Sequence, residues 1–355
     1  MSRIRVLVVE DSLTVREHLC AVLAADPEIE VVGKAENGRR AIELCHALRP
    51  DAVTLDMMLP GISGLAVTEH IMAQCPTPIL VVSSSFNRGE LFDTCQALAA
   101  GAVEVMEKPP AGDVDQGWER RFLSLLKLVA RVKVITHVRG RLDRSRSIRD
   151  DDADDMAASM QRCELVALGA STGGPRAIVE ILNALPAGFA LPVLVVLHIG
   201  APFGVAFTDW LRAQIPHPTS IAVDGQRLDA PGVVLAPPDH HLVVHDGRLH
   251  LNDEAERHSC RPSVDVLFES LARLNSPGVA ACLLTGMGRD GAQGLLQIRR
   301  AGGVTIAQDE ATSVVYGMPR EAVLLGAAQR VLPLSEIGPA LAALATPSRI
   351  RSGRQ

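Results

Sequence analysis

Along the first 138 residues, short apolar runs alternate with stretches in which apolar residues recur every three or four positions. The runs Ile4 to Val9, Glu30 to Val32, Ala52 to Leu55, Ile79 to Val82 and Ala102 to Met106 read as buried strands. Each is followed by an amphipathic segment, so the pattern predicts five βα units and a parallel sheet covered on both faces by helices. A second series starts near residue 162. Leu165, Val166 and Leu168, then Pro192 to Leu197, then Val279 to Leu284, have the unbroken apolar character of strands buried on both sides. A turn carrying Gly169, Gly173 and Gly174 ends the first of these, and a helix opens near Pro175 and continues through Ile178 to Leu185. Leu242 to Val244 and Leu249 to Leu251 flank His245-Asp-Gly-Arg248 and read as a β-hairpin. The expected fold class is α/β, with two doubly wound parallel-sheet domains and a hairpin in the second.

Charge marks the boundary between them. Five arginines fall between Arg139 and Arg149 and five aspartates between Asp150 and Asp155, with almost no apolar residue to bury. Such blocks read as a polyampholyte tether. Docking of the blocks on oppositely charged domain faces is a sharper alternative, weakened by salt screening. The expected organisation is a domain over 1–138, a tether over 139–161, a second domain over 162–345 and a tail over 346–355. A chain of 355 residues exceeds one ordinary core, which agrees with two domains. With 35 Lys and Arg against 41 Asp and Glu, a net charge of -6 gives no general attraction to nucleic acid or an anionic membrane. The 7 cysteines include no Cys-x-x-Cys pair, so buried thiols in a reducing cytosol are expected rather than a zinc or disulfide framework. The N-terminal apolar run is too short for a signal peptide and no run of about 18 apolar residues occurs, so the expectation is a soluble cytoplasmic protein.

Chemistry gathers at the strand ends. Glu10 and Asp11 close the first strand and Asp56 the third, so three carboxylates converge on one sheet edge. Carboxylates so close repel unless a hard divalent cation, Mg²⁺, neutralises them. Ser83 and Lys108 end the fourth and fifth strands, and together the set can accept a phosphoryl group on Asp56. The plain alternative is a set of solvated charges. Glu10-Asp11, Asp56 with Pro60-Gly61, Ser83 and Lys108-Pro109 resemble a two-component response-regulator receiver domain, which is flavodoxin-like. The resemblance implies that Asp56 is the phosphoacceptor, that Glu10, Asp11, Asp56 and the Met58 carbonyl hold Mg²⁺, and that Ser83 and Lys108 meet the phosphoryl group. It also implies a cis Lys108-Pro109 bond. Many receivers carry an aromatic switch residue where this chain has Val105, so another surface must carry the signal.

In the second series Ser171 stands at a strand's carboxyl end within Gly169-x-Ser-x-Gly173, the spacing of a nucleophile elbow and equally of a serine that caps a helix. His198 ends the next strand, where a histidine is often only structural. Asp290 follows a glycine-rich turn after a third strand and could cap the helix beginning near Gly291. Together they supply nucleophile, base and orienting anion for acyl transfer, in a chain order unlike that of ordinary α/β-hydrolases. His240, His241, His245 and His250 read as strand-end and surface residues rather than zinc ligands. Cys260, near His258, has no elbow around it and is set aside as a nucleophile.

The segments Leu-Gly-Ala-Ser-Thr-Gly-Gly at 168–174, Ala-Pro-Pro-Asp-His-His-Leu at 236–242, Arg-Pro-Ser-Val-Asp-Val-Leu-Phe at 261–268, Leu-Thr-Gly-Met-Gly-Arg-Asp-Gly at 284–291 and Gln-Asp-Glu-Ala-Thr-Ser-Val-Val-Tyr-Gly-Met-Pro at 308–319 resemble the chemotaxis protein-glutamate methylesterase catalytic domain, CheB. The resemblance implies a Rossmann-like domain with Ser171 as nucleophile, His198 as base, Asp290 as its partner, and the backbone N–H groups of Thr172 and Met287 as oxyanion donors. The family often has Gln and Met flanking the histidine, whereas Leu197 and Ile199 stand here, which bears on the hydrogen bonds around the ring. The implied substrate is a glutamyl methyl ester on methyl-accepting chemoreceptors, hydrolysed to glutamate and methanol without a cofactor for that reaction, with deamidation of receptor glutamines beside it. The implied phosphodonor is a chemotaxis histidine kinase, and the membrane is met only through receptors. An unphosphorylated receiver is expected to cover the catalytic edge. Two rival functions are a phosphorylation-controlled binding module without catalysis and a hydrolase of another ester.

Overall fold

In the computed structural model the described residues are 3–84, 87–109, 116–132, 163–274 and 278–345; the tether over 139–161 and the tail over 346–355 lie outside them. The first sheet comprises β1 (Ile4–Val9), β2 (Ile29–Ala35), β3 (Ala52–Leu55), β4 (Ile79–Ser83) and β5 (Glu104–Glu107). Its order is β2-β1-β3-β4-β5, parallel throughout. The period of two along a strand divides β1 between both faces. Leu7 and Val9 pack with Val67 and Ile71 of α3 (Gly64–Gln74), while Val6 and Val8 pack with Phe122 and Leu126 of α5 (Gln116–Val129). The remaining helices of this layer are α1 (Leu13–Ala24), α2 (Gly38–Leu48) and α4 (Arg88–Ala100). Strand β2 runs longer than the three residues expected, and β5 begins two residues later than Ala102.

The second sheet starts with β6 (Leu165–Ala170), α6 (Gly174–Ala184), β7 (Pro192–Leu197) and α7 (Ala201–Gln214). After β8 (Thr219–Ile221) and β9 (Gly232–Leu235), β10 (His241–His245) and β11 (Arg248–Asn252) form an antiparallel pair. Then follow α8 (Val264–Ala272), β12 (Val279–Leu283), α9 (Ala292–Arg300), β13 (Val304–Gln308), α10 (Met318–Leu324), β14 (Arg330–Leu332) and α11 (Leu334–Ala345). The order β14-β13-β12-β6-β7-β9-β8 is parallel throughout. Strands β8, β9, β13 and β14 have three to five residues and were not anticipated. In the hairpin turn Asp246 and Gly247 have φ of 48° and 68°, the left-handed pair that a two-residue turn needs. Because β7 lies on one side of β6 and β12 on the other, winding reverses at β6, and its carboxyl end is the switch point where open α/β sheets bind ligands.

The two layers meet through α4. Leu91, Phe92, Cys95 and Ala99 pack into the core beneath α6 and α7, and Arg88 pairs with Asp209 of α7 at 2.8 Å. From the other side Ile199 reaches the core of the first sheet, and Val314 and Val315 join the α5 cluster. Among the described residues the cis peptide bond is Arg261–Pro262. The cis geometry expected at Lys108-Pro109 is therefore not found there, trans being the ordinary isomer before proline.

Candidate active site and phosphorylation site

Ser171 follows β6 directly, its N–H donating to Thr285 O at 3.0 Å, and Gly174 N closes the turn onto Ser171 O at 2.6 Å. The turn depends on Gly173, with φ of 78°, where a β-carbon would lie 2.6 Å from Val314 Cβ. His198 follows β7, its N–H donating to Ala170 O at 3.0 Å, so serine and histidine stand on adjacent strand ends. Asp290 arrives from the turn after β12 and is buried. His198 Nε2 donates to Asp290 Oδ2 at 2.9 Å. Val264 N donates to the same oxygen at 2.7 Å, while Oδ1 accepts from Ser263 Oγ at 2.7 Å and Asp265 N at 3.1 Å. The helix that Asp290 caps is thus α8, not α9, whose N-cap Gly291 offers no side chain. Burial alone would raise this carboxyl; the donors from His198, Ser263 and Val264 outweigh it and hold it below the usual carboxylate range. For the ring, burial opposes charge, yet the bonds to Asp290 and Cys260 lift the imidazole to about 9.

With Nε2 committed to Asp290, Nδ1 is the ring's proton-accepting nitrogen, and the Cys260 Sγ lies 3.6 Å from it. Among the described residues Ser171 Oγ makes no hydrogen bond to the ring, and the N–H groups of Thr172 and Met287 have no protein acceptor. The sequence carries no signal of this approach, because Cys260 and His198 are 62 residues apart and an irregular loop has no periodicity to show where it lands. His241 corrects another expectation. It is fully buried, accepting from Ser263 N through Nδ1 at 3.1 Å and donating through Nε2 to Ala255 O at 3.2 Å, and so fixes the serine that holds Asp290.

At the first sheet's edge Lys108 Nζ lies 2.9 Å from Asp56 Oδ2 and 3.0 Å from Glu10 Oε2. Both oxygens are buried, and the shared Lys108 ammonium is the polar group that meets them. Burial, then Asp56, push the Glu10 carboxyl up to about 7, and burial also raises Asp56 against the pull of Lys108. Ligand atoms of Glu10, Asp11 and Asp56 lie within 4.8 Å of one another, and Asp56 Oδ1 accepts from Met58 N at 3.3 Å. Ser83 turns away from this group, and its hydroxyl donates to Glu90 Oε1 of α4 at 2.7 Å.

Residues 166–341 match the CheB methylesterase family and residues 6–114 the response regulator receiver domain. A protein-glutamate methylesterase/protein-glutamine glutaminase of Anaeromyxobacter dehalogenans is 44% identical over 95% of this chain and 96% of its own length. The chain belongs to this family. A second relative of the same name, from Pseudomonas aeruginosa, is 42% identical over 95% of this chain and 96% of its own length. The crystallised catalytic domain of Thermotoga maritima CheB methylesterase is 34% identical, covering 51% of this chain and 98% of that one, with a TM-score of 0.49.

Within this family member a residue of the receiver sheet touches the residue next to Ser171. Thr172 Oγ1 donates to Glu104 Oε2 of β5 at 2.7 Å, one residue beyond Ser171. Burial raises the Glu104 carboxyl, partly offset by that hydroxyl. Val105 sits half-buried against the first core. Among the described residues no helix is long and apolar enough to cross a membrane.

Proposed function

We propose that the chain is a cytoplasmic, phosphorylation-activated hydrolase that demethylates glutamyl methyl esters on methyl-accepting chemoreceptors, releases methanol, and deamidates receptor glutamines. The observation that carries this reading is the His198–Asp290 pair at 2.9 Å on the switch-point edge, with Ser171 on the adjoining strand end. Ser171 Oγ attacks the ester carbonyl while His198 Nδ1 takes its proton; Asp290 holds the ring and stabilises the imidazolium. Thr172 N and Met287 N receive the oxyanion, and His198 returns the proton to the departing methoxide or amide nitrogen. Water then attacks the acyl-serine by the reverse route.

The receiver site fits a hard cation, because Lys108 is a single positive charge shared by two buried carboxylates, and the ligand atoms of Glu10, Asp11 and Asp56 lie within 4.8 Å of one another. Glu10, Asp11, Asp56 and the Met58 carbonyl would hold Mg²⁺, which neutralises charge as a phosphoryl group transfers from a chemotaxis histidine kinase to Asp56. Phosphorylation must favour a receiver surface that fits the esterase less well, since only differential affinity shifts the balance. The route runs from Ser83 and Glu90 into α4 and so to the interface, in place of an aromatic switch. The same reading divides the chain into a receiver over 1–138, a tether over 139–161, an esterase over 162–345 and a tail over 346–355.

A second reading makes the Cys260 thiol the nucleophile, on the strength of its 3.6 Å contact with His198. Against it, the Sγ also contacts His258 O at 3.4 Å within its own loop, and no glycine-lined turn surrounds it. Methanol release from methylated receptor helices tests the proposal, using wild type, Ser171→Ala and Asp56→Ala, each with and without a small phosphodonor. Turnover lost in the first variant and unstimulated in the second is expected; unchanged turnover in Ser171→Ala removes the nucleophile.

A further inference from the structure

We propose that the esterase edge carries an inhibitory binding site for a thiophilic divalent cation, of which zinc is the type, formed by Cys260 Sγ and His198 Nδ1. The inference rests on the reading of His198 as the base. Its first support is spacing. Zinc–sulfur and zinc–nitrogen bonds of about 2.3 and 2.0 Å at a tetrahedral angle set the two ligand atoms about 3.5 Å apart. The observed separation is 3.6 Å, so both atoms reach one ion without moving.

The second support lies behind the ring. A metal-bound histidine usually donates its other N–H to a carboxylate that is itself fixed, which sets the tautomer and raises basicity. Here Nε2 donates to Asp290 at 2.9 Å, and Asp290 is held in turn by Ser263 Oγ, Val264 N and Asp265 N. Nδ1 is therefore the ring nitrogen that faces the thiol. Loop geometry holds the other ligand, as Arg257 N and Cys260 O, and Cys260 N and Arg257 O, bond reciprocally at 3.1 and 3.0 Å.

Ligand chemistry separates this site from the receiver's. Sulfur and imidazole favour zinc-like ions, whereas the carboxylates at Glu10, Asp11 and Asp56 favour Mg²⁺. Cys260 is also the half-buried cysteine of the chain, the other six being buried. On binding, the thiol and the charged ring each release a proton to solvent, the sulfur bonds as thiolate and Nδ1 through the lone pair so freed, with water completing the coordination. The ion then occupies the lone pair that must receive the Ser171 proton. Inhibition follows whether or not Asp56 is phosphorylated.

Cobalt(II) serves as the spectroscopic probe, added to the full-length protein in saturating Mg²⁺, and zinc as the inhibitor in a methanol-release assay. A surface pair, His46 and His70 with Nε2 atoms 3.3 Å apart, could also bind metal, so a His46→Ala/His70→Ala variant is the control. Expected are a near-ultraviolet thiolate-to-cobalt band in wild type and control, its loss in both Cys260→Ala and Cys260→Ser, and zinc inhibition weakened about tenfold or more in those variants relative to their own zinc-free rates. Absence of the band, its persistence without Cys260, or equal zinc sensitivity in all variants overturns the site. A Cys260-dependent band with full turnover in zinc overturns the inhibition and, with it, His198 as the base; loss of the band alone leaves the catalytic reading standing.

Discussion

Asp56 and Asp290 are both buried aspartates on the carboxyl side of parallel strands, the first directly after β3 and the second in the turn that follows β12, yet their surroundings move them in opposite directions. Asp56 has one backbone donor at 3.3 Å and shares Lys108 with Glu10, so burial wins and its carboxyl is raised. Asp290 has donors from Ser263, Val264, Asp265 and His198, all at 3.1 Å or less, so hydrogen bonding wins and its carboxyl is lowered. The same side chain in the same kind of fold thus becomes a crowded, under-satisfied anion in one place and a locked anion in the other. The first is short of donors, whereas the second has all it can use and serves to orient its neighbour.

The largest effect expected from breaking this comparison is at Asp290. Asp290→Asn removes the anion and lowers receptor demethylation by about 10⁴-fold through the wrong ring tautomer, whereas Asp56→Asn leaves basal turnover intact and abolishes stimulation by a phosphodonor. Ser263→Ala makes Asp290 more like Asp56; loss of a hydrogen bond to a charged group costs about 1.5–3 kcal/mol, so turnover falls roughly tenfold to a hundredfold, and thermal unfolding comes earlier through the lost cap of α8. The pH profile gives the next effect. A ring lifted from 6.5 to about 9 must lose its proton before it can act as a base, so unactivated turnover climbs as pH rises through about 9. Because the folded value is raised, the stability contributed by His198 is present below 6.5 and is lost as pH rises through about 9, the range in which turnover appears.

The smaller effects sharpen the link between the two edges. Glu104→Ala removes the acceptor for Thr172 Oγ1 and raises unstimulated turnover by up to about tenfold. Arg88→Ala breaks an ion pair whose arginine side chain is 75% exposed, and the basal rate rises by less than about fivefold.

Most of the architecture was legible because parallel strands buried on both sides leave long apolar runs, and because such sheets project the next residue toward one edge. Ser171, His198, Asp56 and Lys108 could be placed at strand ends on that ground alone. Length alone did not hide strands β8, β9, β13 and β14, since β3, β5 and β12 are comparably short; polar residues break up β8, β13 and β14, namely Thr219, Ser220, Thr305, Gln308 and Arg330, and β9 opens on Gly232. The partners of Asp290 were hidden for a different reason. Its cap on α8 and the approach of Cys260 to the ring are made by a loop that returns from the hairpin, and no local spacing encodes that return. Glu90 drawing Ser83 aside, and His241 buried beneath Ser263, are likewise tertiary contacts of residues whose types suggest a surface.

In the proposed mechanism the hydroxyl of Ser171, not the thiol of Cys260, attacks under the control of the His198–Asp290 pair. A fluorophosphonate probe that bonds covalently to an activated nucleophile, followed by peptide mapping of the phosphodonor-activated full-length protein, reads this out at the residue. Label is expected on Ser171, retained in Cys260→Ala and lost in His198→Ala; label on Cys260, or methanol release persisting in Ser171→Ala, would exclude Ser171 as the attacking group.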